Sequence, residues 1–176
     1  MKLRFLGTGA ADWCLAISEG KPVTRRYSSV IIDDKLVIDP GPGVLDALKV
    51  NKIEFSSVKY VLNTHDHDDH MNRDNLKVLT NCGAKFINTE KPGVYKFGKY
   101  TVEAVKANHA IACVHFIISD GSLFFSTVLT VRGLPTKNMK QYKDKRLTLV
   151  FLTLQSVLLM VIFVFLSTTI LIWLLK

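Results

Sequence analysis

Cysteine is scarce in this chain. Cys14, Cys82 and Cys113 are odd in number, far apart and in no Cys-x-x-Cys arrangement, which argues against a disulfide framework and points to buried thiols in a reducing compartment. No secretory signal is expected at the start, because Met1 to Leu6 is short and leads directly into a glycine turn. Gly7 and Gly9 lack the Lys-Ser/Thr that completes a P-loop, so no phosphate-cradling loop is read there. Acidic residues almost disappear toward the C-terminus. Residues 134–176 hold 6 Lys and Arg against 1 Asp, whereas residues 1–133 hold 17 against 14 Asp and Glu. Most of the net charge of +8 therefore belongs to the tail. The first 133 residues also lack the interleaved aromatic and basic positions of single-strand binders, so nucleic acid is not an expected partner.

Charge of either sign is missing from Leu147 to Leu175. At a rise of ~1.5 Å per residue, a helix of that length exceeds the ~30 Å hydrocarbon core of a bilayer. The stretch predicts a transmembrane helix, with Lys137, Lys140, Lys143, Lys145 and Arg146 kept cytoplasmic and Lys176 on the far side. A buried core helix is the alternative, and a frameshift, gene fusion or truncated reading frame would leave the same change of composition. The expected organisation is a domain over 1–133, long enough for a real core, a basic linker over 134–146 and the membrane helix over 147–175. The expected location is the membrane, with the domain on the cytoplasmic side, or the cytoplasm if the tail is not genuine.

Patterning within the domain is mixed. Lys2 to Leu6 predicts a strand ending at the flexible turn Gly7-Thr8-Gly9. Ser28 to Ile32 and Lys35 to Asp39 predict two strands joined at Asp33-Asp34. Asp39-Pro40-Gly41-Pro42-Gly43 breaks the second of them, after which Val44, Leu45 and Leu48 recur at helical spacing. Val58 to Leu62 reads as a strand, and Asn72 to Cys82 as a short helix stopped by Gly83. Ala84 to Asn88 and Tyr100 to Ala107 are strands on either side of a turn at Lys91-Pro92-Gly93. A hairpin turn at Ser119-Asp120-Gly121-Ser122 separates the apolar run Val114 to Ile118 from Leu123 to Thr127.

The densest chemistry lies at Thr64 to His70, read as Thr-His-Asp-His-Asp-Asp-His. Three of five histidines fall within six residues together with Asp69, and core packing does not call for that. A solvated loop with accidental histidines is the competing explanation. If strand geometry persists beyond Leu62, His65 and His67 project to the same side and can share a cation. Asp69 and His70 then complete its shell or serve a second ion. Imidazole with carboxylate suits Zn, Fe or Mn better than Ca or Mg.

The spacing His-x-His-x-Asp-His, filled by His65, His67, Asp69 and His70, resembles the signature of the metallo-β-lactamase-fold hydrolases. The stretches Phe5 to Ala11, Arg25 to Ser29 and Leu36 to Gly43 extend the resemblance. They look like the opening of the branch that includes cyclic-phosphate phosphodiesterases of the phosphonate pathway and long-form relatives of tRNA 3′-processing endonucleases. The likeness covers about residues 1 to 127. It implies an α/β fold, here a partial αββα sandwich followed by the membrane helix, and up to two ions of Zn2+, or of Mn2+ or Fe2+. It places the next metal ligand after the strand that ends at Ala107, which makes His109 the third imidazole. His115 is the competitor, although inside an apolar strand it is more simply a structural residue. Asp39 matches an aspartate that orients the ligating histidines, or it caps the turn that follows. The loop Asp12 to Arg26 borders the mouth of the site, where Arg25 and Arg26 are either phosphate-binding or a solvated pair.

Two parts of the family pattern have no counterpart. A metal-bridging aspartate belongs where Ser126-Thr127-Val128 stands, and no carboxylate lies between Asp120 and Asp144. No histidine follows His115. Two readings follow. One is a metal-dependent hydrolase, a phosphodiesterase using a metal-bound hydroxide, with His65, His67, Asp69, His70 and His109 as ligands and Asp69 also orienting or deprotonating the water. The other is a catalytically impaired, membrane-anchored metal-binding domain whose exposed sheet face is covered by a second copy of the chain.

Overall fold

The computed structural model describes residues 1–9 and 26–121, and the backbone of the strands at 124–129, 147–153, 160–166 and 169–175. The chain divides into two compact units, Met1–Asn88 and Thr89–Lys176. The mouth loop from Asp12 to Arg25 and the basic linker 134–146 lie outside the described residues, as do the side chains around Ser126-Thr127.

Among the described residues, the first unit has one five-stranded sheet and two α-helices. Strands β1 (Leu3–Gly7), β2 (Ser29–Ile32) and β3 (Leu36–Ile38) pair antiparallel. Strands β4 (Tyr60–Leu62) and β5 (Lys85–Phe86) then add in parallel, in the order β1-β2-β3-β4-β5. Asp33 and Asp34 both have positive φ, 52° and 54°, the left-handed pair that lets a tight turn follow the twist of its strands. Two cations sit over this turn, Lys2 Nζ at 3.2 Å and Arg4 Nε at 3.3 Å from the Asp34 carboxylate.

Each parallel connection carries a helix. Helix α1 (Val44–Val50) joins β3 to β4 and α2 (Arg73–Asn81) joins β4 to β5. Their apolar positions Val44, Ala47, Leu48 and Leu79 pack with Leu6, Ile31, Val37, Val58 and Val61 into one buried cluster. Ile32, Leu36, Ile38 and Leu62, which alternate with these along the strands, are also buried. A sheet buried on both faces reads as a continuous apolar run, which is how Leu36-Val37-Ile38 appears in the sequence.

In the second unit, β6 (Gly93–Phe97), β7 (Tyr100–Lys106), β8 (Val114–Ser119) and β9 (Phe124–Leu129) form an antiparallel meander. Strand β7 alternates cleanly, with Tyr100, Val102 and Ala104 buried and the residues between them less so. Strand β6 was not expected from the sequence, where the Lys91-Pro92-Gly93 turn masks its start.

Over 147–175, where the absence of charge predicts a membrane helix, the backbone instead forms strands. They are β10 (Leu147–Thr153), parallel to β9, and the antiparallel pair β11 (Met160–Leu166) and β12 (Thr169–Leu175). Among the described residues no helix is long and apolar enough to cross a membrane. The physical reason lies in composition. The segment is rich in valine, isoleucine, threonine and phenylalanine, which favour strands, and an apolar run without periodicity cannot be assigned to helix or strand by pattern alone.

Candidate metal centre

The histidine motif lies just past the carboxyl ends of the parallel strands β3 and β4, where ligands of open α/β sheets characteristically bind. Asp39 follows β3, and its N–H donates to Leu62 O at 3.0 Å, extending the β3–β4 ladder by one step. Its φ is 58°, a left-handed conformation that strains a residue with a Cβ by about 1 kcal/mol or more. In that conformation the Asp39 carboxylate is buried and reaches two histidines, one directly and one through a hydroxyl.

The direct contact is with His70, whose Nδ1 lies 2.9 Å from Asp39 Oδ2. A carboxylate only accepts, so this nitrogen carries the proton. On the other side, Thr64 donates from its backbone N–H to Asp39 Oδ1 at 2.7 Å, and its Oγ1 lies 2.9 Å from each carboxylate oxygen. Thr64 has one hydroxyl proton and gives it to Asp39. It therefore accepts from His65 Nδ1, 3.0 Å away, and this tautomer puts the lone pair of His65 on Nε2, where a metal ligand needs it.

Asp69 stands on the far side of His70, with Oδ2 3.2 Å from Nε2. Burial opposes charge on His70, but the charge and hydrogen bond of Asp39, reinforced by those of Asp69, outweigh it and push the imidazole up to about 10. Burial likewise opposes charge on Asp69, and the hydrogen bond and charge of His70 hold its carboxyl below the usual range. A cation bound by this pair would displace the proton from His70, because metal binding releases ligand protons. The donor set of imidazole and carboxylate thus fits a transition-series ion.

The rings themselves are gathered. His65 and His67 meet edge-on with centroids 4.7 Å apart, His65 and His70 lie at 4.3 Å, and ring nitrogens of His65 and His67 are within 4.8 Å of each other. Strand geometry is not what brings them together, contrary to expectation, since β4 ends at Leu62. A turn after His67 carries His70 back to the cluster, with the N–H groups of His70 and Met71 both donating to His67 O at 2.9 and 2.8 Å. Gly41 permits the turn, because a Cβ at this position would collide with the Asp69 carbonyl. Outside it, Arg73 Nη2 pairs with Asp66 at 2.6 Å, and Asn63 Nδ2 donates to His65 O at 2.6 Å.

Four predicted ligands, His65, His67, Asp69 and His70, are thus assembled in the first unit around the predicted Asp39. His109 belongs to the second unit, half-buried on the connection that leaves β7 and closes with Ala107 N–H donating to Cys113 O at 2.9 Å. His115 lies in β8 opposite Val105 and is buried. Burial pushes its imidazole down to about 4, in keeping with a structural strand residue. Sequence reasoning missed the role of Thr64, although its place beside the first histidine was a signal, and it missed Asn75, described below, which no local pattern marks.

A turn of histidines at the ends of parallel strands, oriented by a buried aspartate from the neighbouring strand, defines a metal-binding α/β domain. Residues 24–73 match the sequence model of the Metallo-beta-lactamase superfamily. A metal-dependent hydrolase of Natranaerobius thermophilus is 36% identical over 91 residues, which are 51% of this chain and 32% of the relative. The chain thus spans about a third of the length of that curated relative. In fold the chain is similar to the metallo-beta-lactamase fold protein YhfI from Bacillus subtilis, with a TM-score of 0.65 and 15% identity over 85% of this chain and 70% of that one. Human tRNase Z, short form, gives a TM-score of 0.58 and 14% identity over 86% and 77%.

Proposed function

We propose that this domain is a metal-dependent hydrolase acting on phosphodiesters, with His65, His67 and His109 as ligands of one ion and Asp69 and His70 contributing to the same centre or to a second ion. The observation that carries the reading is the single carboxylate of Asp39 holding Nδ1 of His70 and, through Thr64, Nδ1 of His65. Surface histidines have no use for such an arrangement, whereas metal-binding histidines commonly have their second ring nitrogen held in this way. The relative from Natranaerobius thermophilus, named as a metal-dependent hydrolase, supports the reaction type. The phosphodiester preference follows from the resemblance of Phe5 to Ala11 and Leu36 to Gly43 to the phosphodiesterase branch.

A divalent cation bound there supplies two things, a lowered water pKa near ~7 and neutralisation of charge on the phosphoryl oxygens. The remaining work belongs to the chain. Asp69, 3.2 Å from His70, would orient the attacking water and take its proton, and Asp39 keeps the His65 and His70 imidazoles aimed. A second reading, a metal-binding domain without turnover, is favoured by the lack of any carboxylate between Asp120 and Asp144 and of any histidine after His115.

Metal content and hydrolysis of bis(p-nitrophenyl) phosphate, measured on the full chain beside His67→Ala, test the two readings. Bound metal with hydrolysis that His67→Ala abolishes establishes the hydrolase. Metal without hydrolysis above the variant leaves the binding domain, and no bound metal removes both.

A further inference from the structure

Helix α2 begins three residues after His70, and its first turn is spent on the loop that carries Asp39. Asn72, the N-cap, accepts from Asn75 N–H at 2.9 Å, and its own N–H donates to Pro40 O at 3.2 Å. The side chain of Asn75 does not turn back to the cap. Its Nδ2 donates to Gly41 O at 2.7 Å, a carbonyl whose other donor, Val44 N–H, is at 3.3 Å. The segment between these anchors holds a left-handed aspartate followed by proline, and a strained residue keeps its conformation only where its surroundings over-determine it. Leu62 O anchors Asp39 on one side. Asn72 and Asn75 anchor residues 40 and 41 on the other.

We propose that Asn75 is a positioning residue of the metal centre. Through Gly41 it holds the Asp39 loop in the one conformation that presents a carboxylate to both His70 and Thr64. Its effect on metal affinity rests on the metal-binding reading above, while its effect on the imidazoles does not.

Asn75→Asp separates this role from a merely helical one. The aspartate is nearly isosteric and, in the first turn of α2, is favoured by the helix dipole. It nevertheless replaces the donor facing Gly41 O with an acceptor. Asn75→Ala removes the donor without repulsion and with high helix propensity, and so covers the case in which the aspartate disturbs folding. Both are compared with wild type and Asp39→Asn in the full chain, first without metal by 15N chemical shifts of the imidazole nitrogens, then by titration with Co2+. The expected result is that the His65 and His70 ring signals of both variants move toward those of Asp39→Asn, and that Co2+ affinity falls about tenfold, the lower end for residues that orient ligands. Ring signals unchanged in both variants overturn the proposal, and if wild type and variants then bind Co2+ alike, the metal reading survives without it. Ring signals that move in a protein that binds no Co2+ uphold the positioning role and remove the metal reading instead.

Discussion

Asp39 and His70, 31 residues apart in the chain, are joined by a 2.9 Å hydrogen bond between Oδ2 and Nδ1 in a buried setting. The same carboxylate receives Thr64 on its other oxygen, so it can be lost only at the expense of both histidines. Asp39→Asn keeps the shape of the side chain but offers two acceptor sites on one oxygen in place of four on two. Zinc affinity, read by competition with a chromophoric chelator, is expected to fall 10- to 100-fold, the range for groups that orient ligating histidines. Unchanged affinity would remove Asp39 from the centre.

Gly41 is a steric gate for the histidine turn. A methyl group there is driven into the Asp69 carbonyl, so Gly41→Ala must push residues 69 and 70 away from β3. Denaturant unfolding is expected to show a loss of about 1–3 kcal/mol, typical of overpacking, together with weaker metal binding. A variant as stable as wild type would mean that the two segments separate freely.

The two helices end alike, with different residues in the demanding position. After α1, Lys52 N–H donates to Lys49 O at 2.9 Å and Ile53 N–H to Leu48 O at 2.9 Å; after α2, Gly83 donates to Thr80 O at 2.9 Å and Ala84 to Leu79 O at 3.0 Å. This is the Schellman pattern, whose left-handed position favours glycine. Gly83 has φ 98° and Lys52 has φ 57°. Lys52→Gly is expected to stabilise the protein by roughly 0.5–1 kcal/mol and Gly83→Ala to destabilise it by a similar amount, and thermal unfolding of the two variants checks the opposite signs.

His115 makes stability depend on pH in the second unit. Burial lowers its folded value to about 4 from 6.5, so the folded state holds it neutral while the unfolded chain takes up a proton. The contribution is complete above pH 6.5, declines as pH falls, and is gone below about 4, amounting to about 3 kcal/mol at most. Urea unfolding near neutral pH and near pH 4 should show this loss in wild type and a smaller one in His115→Gln. Equal losses would assign the acid sensitivity to other groups.

Local chemistry was legible in the sequence and long-range geometry was not. Asp33-Asp34, Gly83 and the strands around Val30 and Val37 announce themselves through turn chemistry and β-branched runs. The cluster His65, His67, Asp69 and His70 is conspicuous because core packing cannot explain it. The mode of its assembly was not readable, since a strand ending at Leu62 and one continuing to His67 share the same residues. Asn75 reaches Gly41 across 34 positions, and no short pattern records such a contact. The tail misled for a different reason: freedom from charge marks apolar surroundings, and helices and strands both satisfy it.

The bond from Asp39 N–H to Leu62 O has a kinetic consequence. It makes the first residue of the site the last rung of the β3–β4 ladder, beside strands whose side chains are buried on both faces. Amide hydrogens exchange with solvent only when their bonds open, and rungs of a core sheet open with the most stable cooperative unit of a protein. The amides of Asp39 and Thr64 should therefore exchange as slowly as that of Val37, and far more slowly than those of exposed turns. A site welded to the sheet in this way has its geometry set when the sheet forms, before any ion arrives.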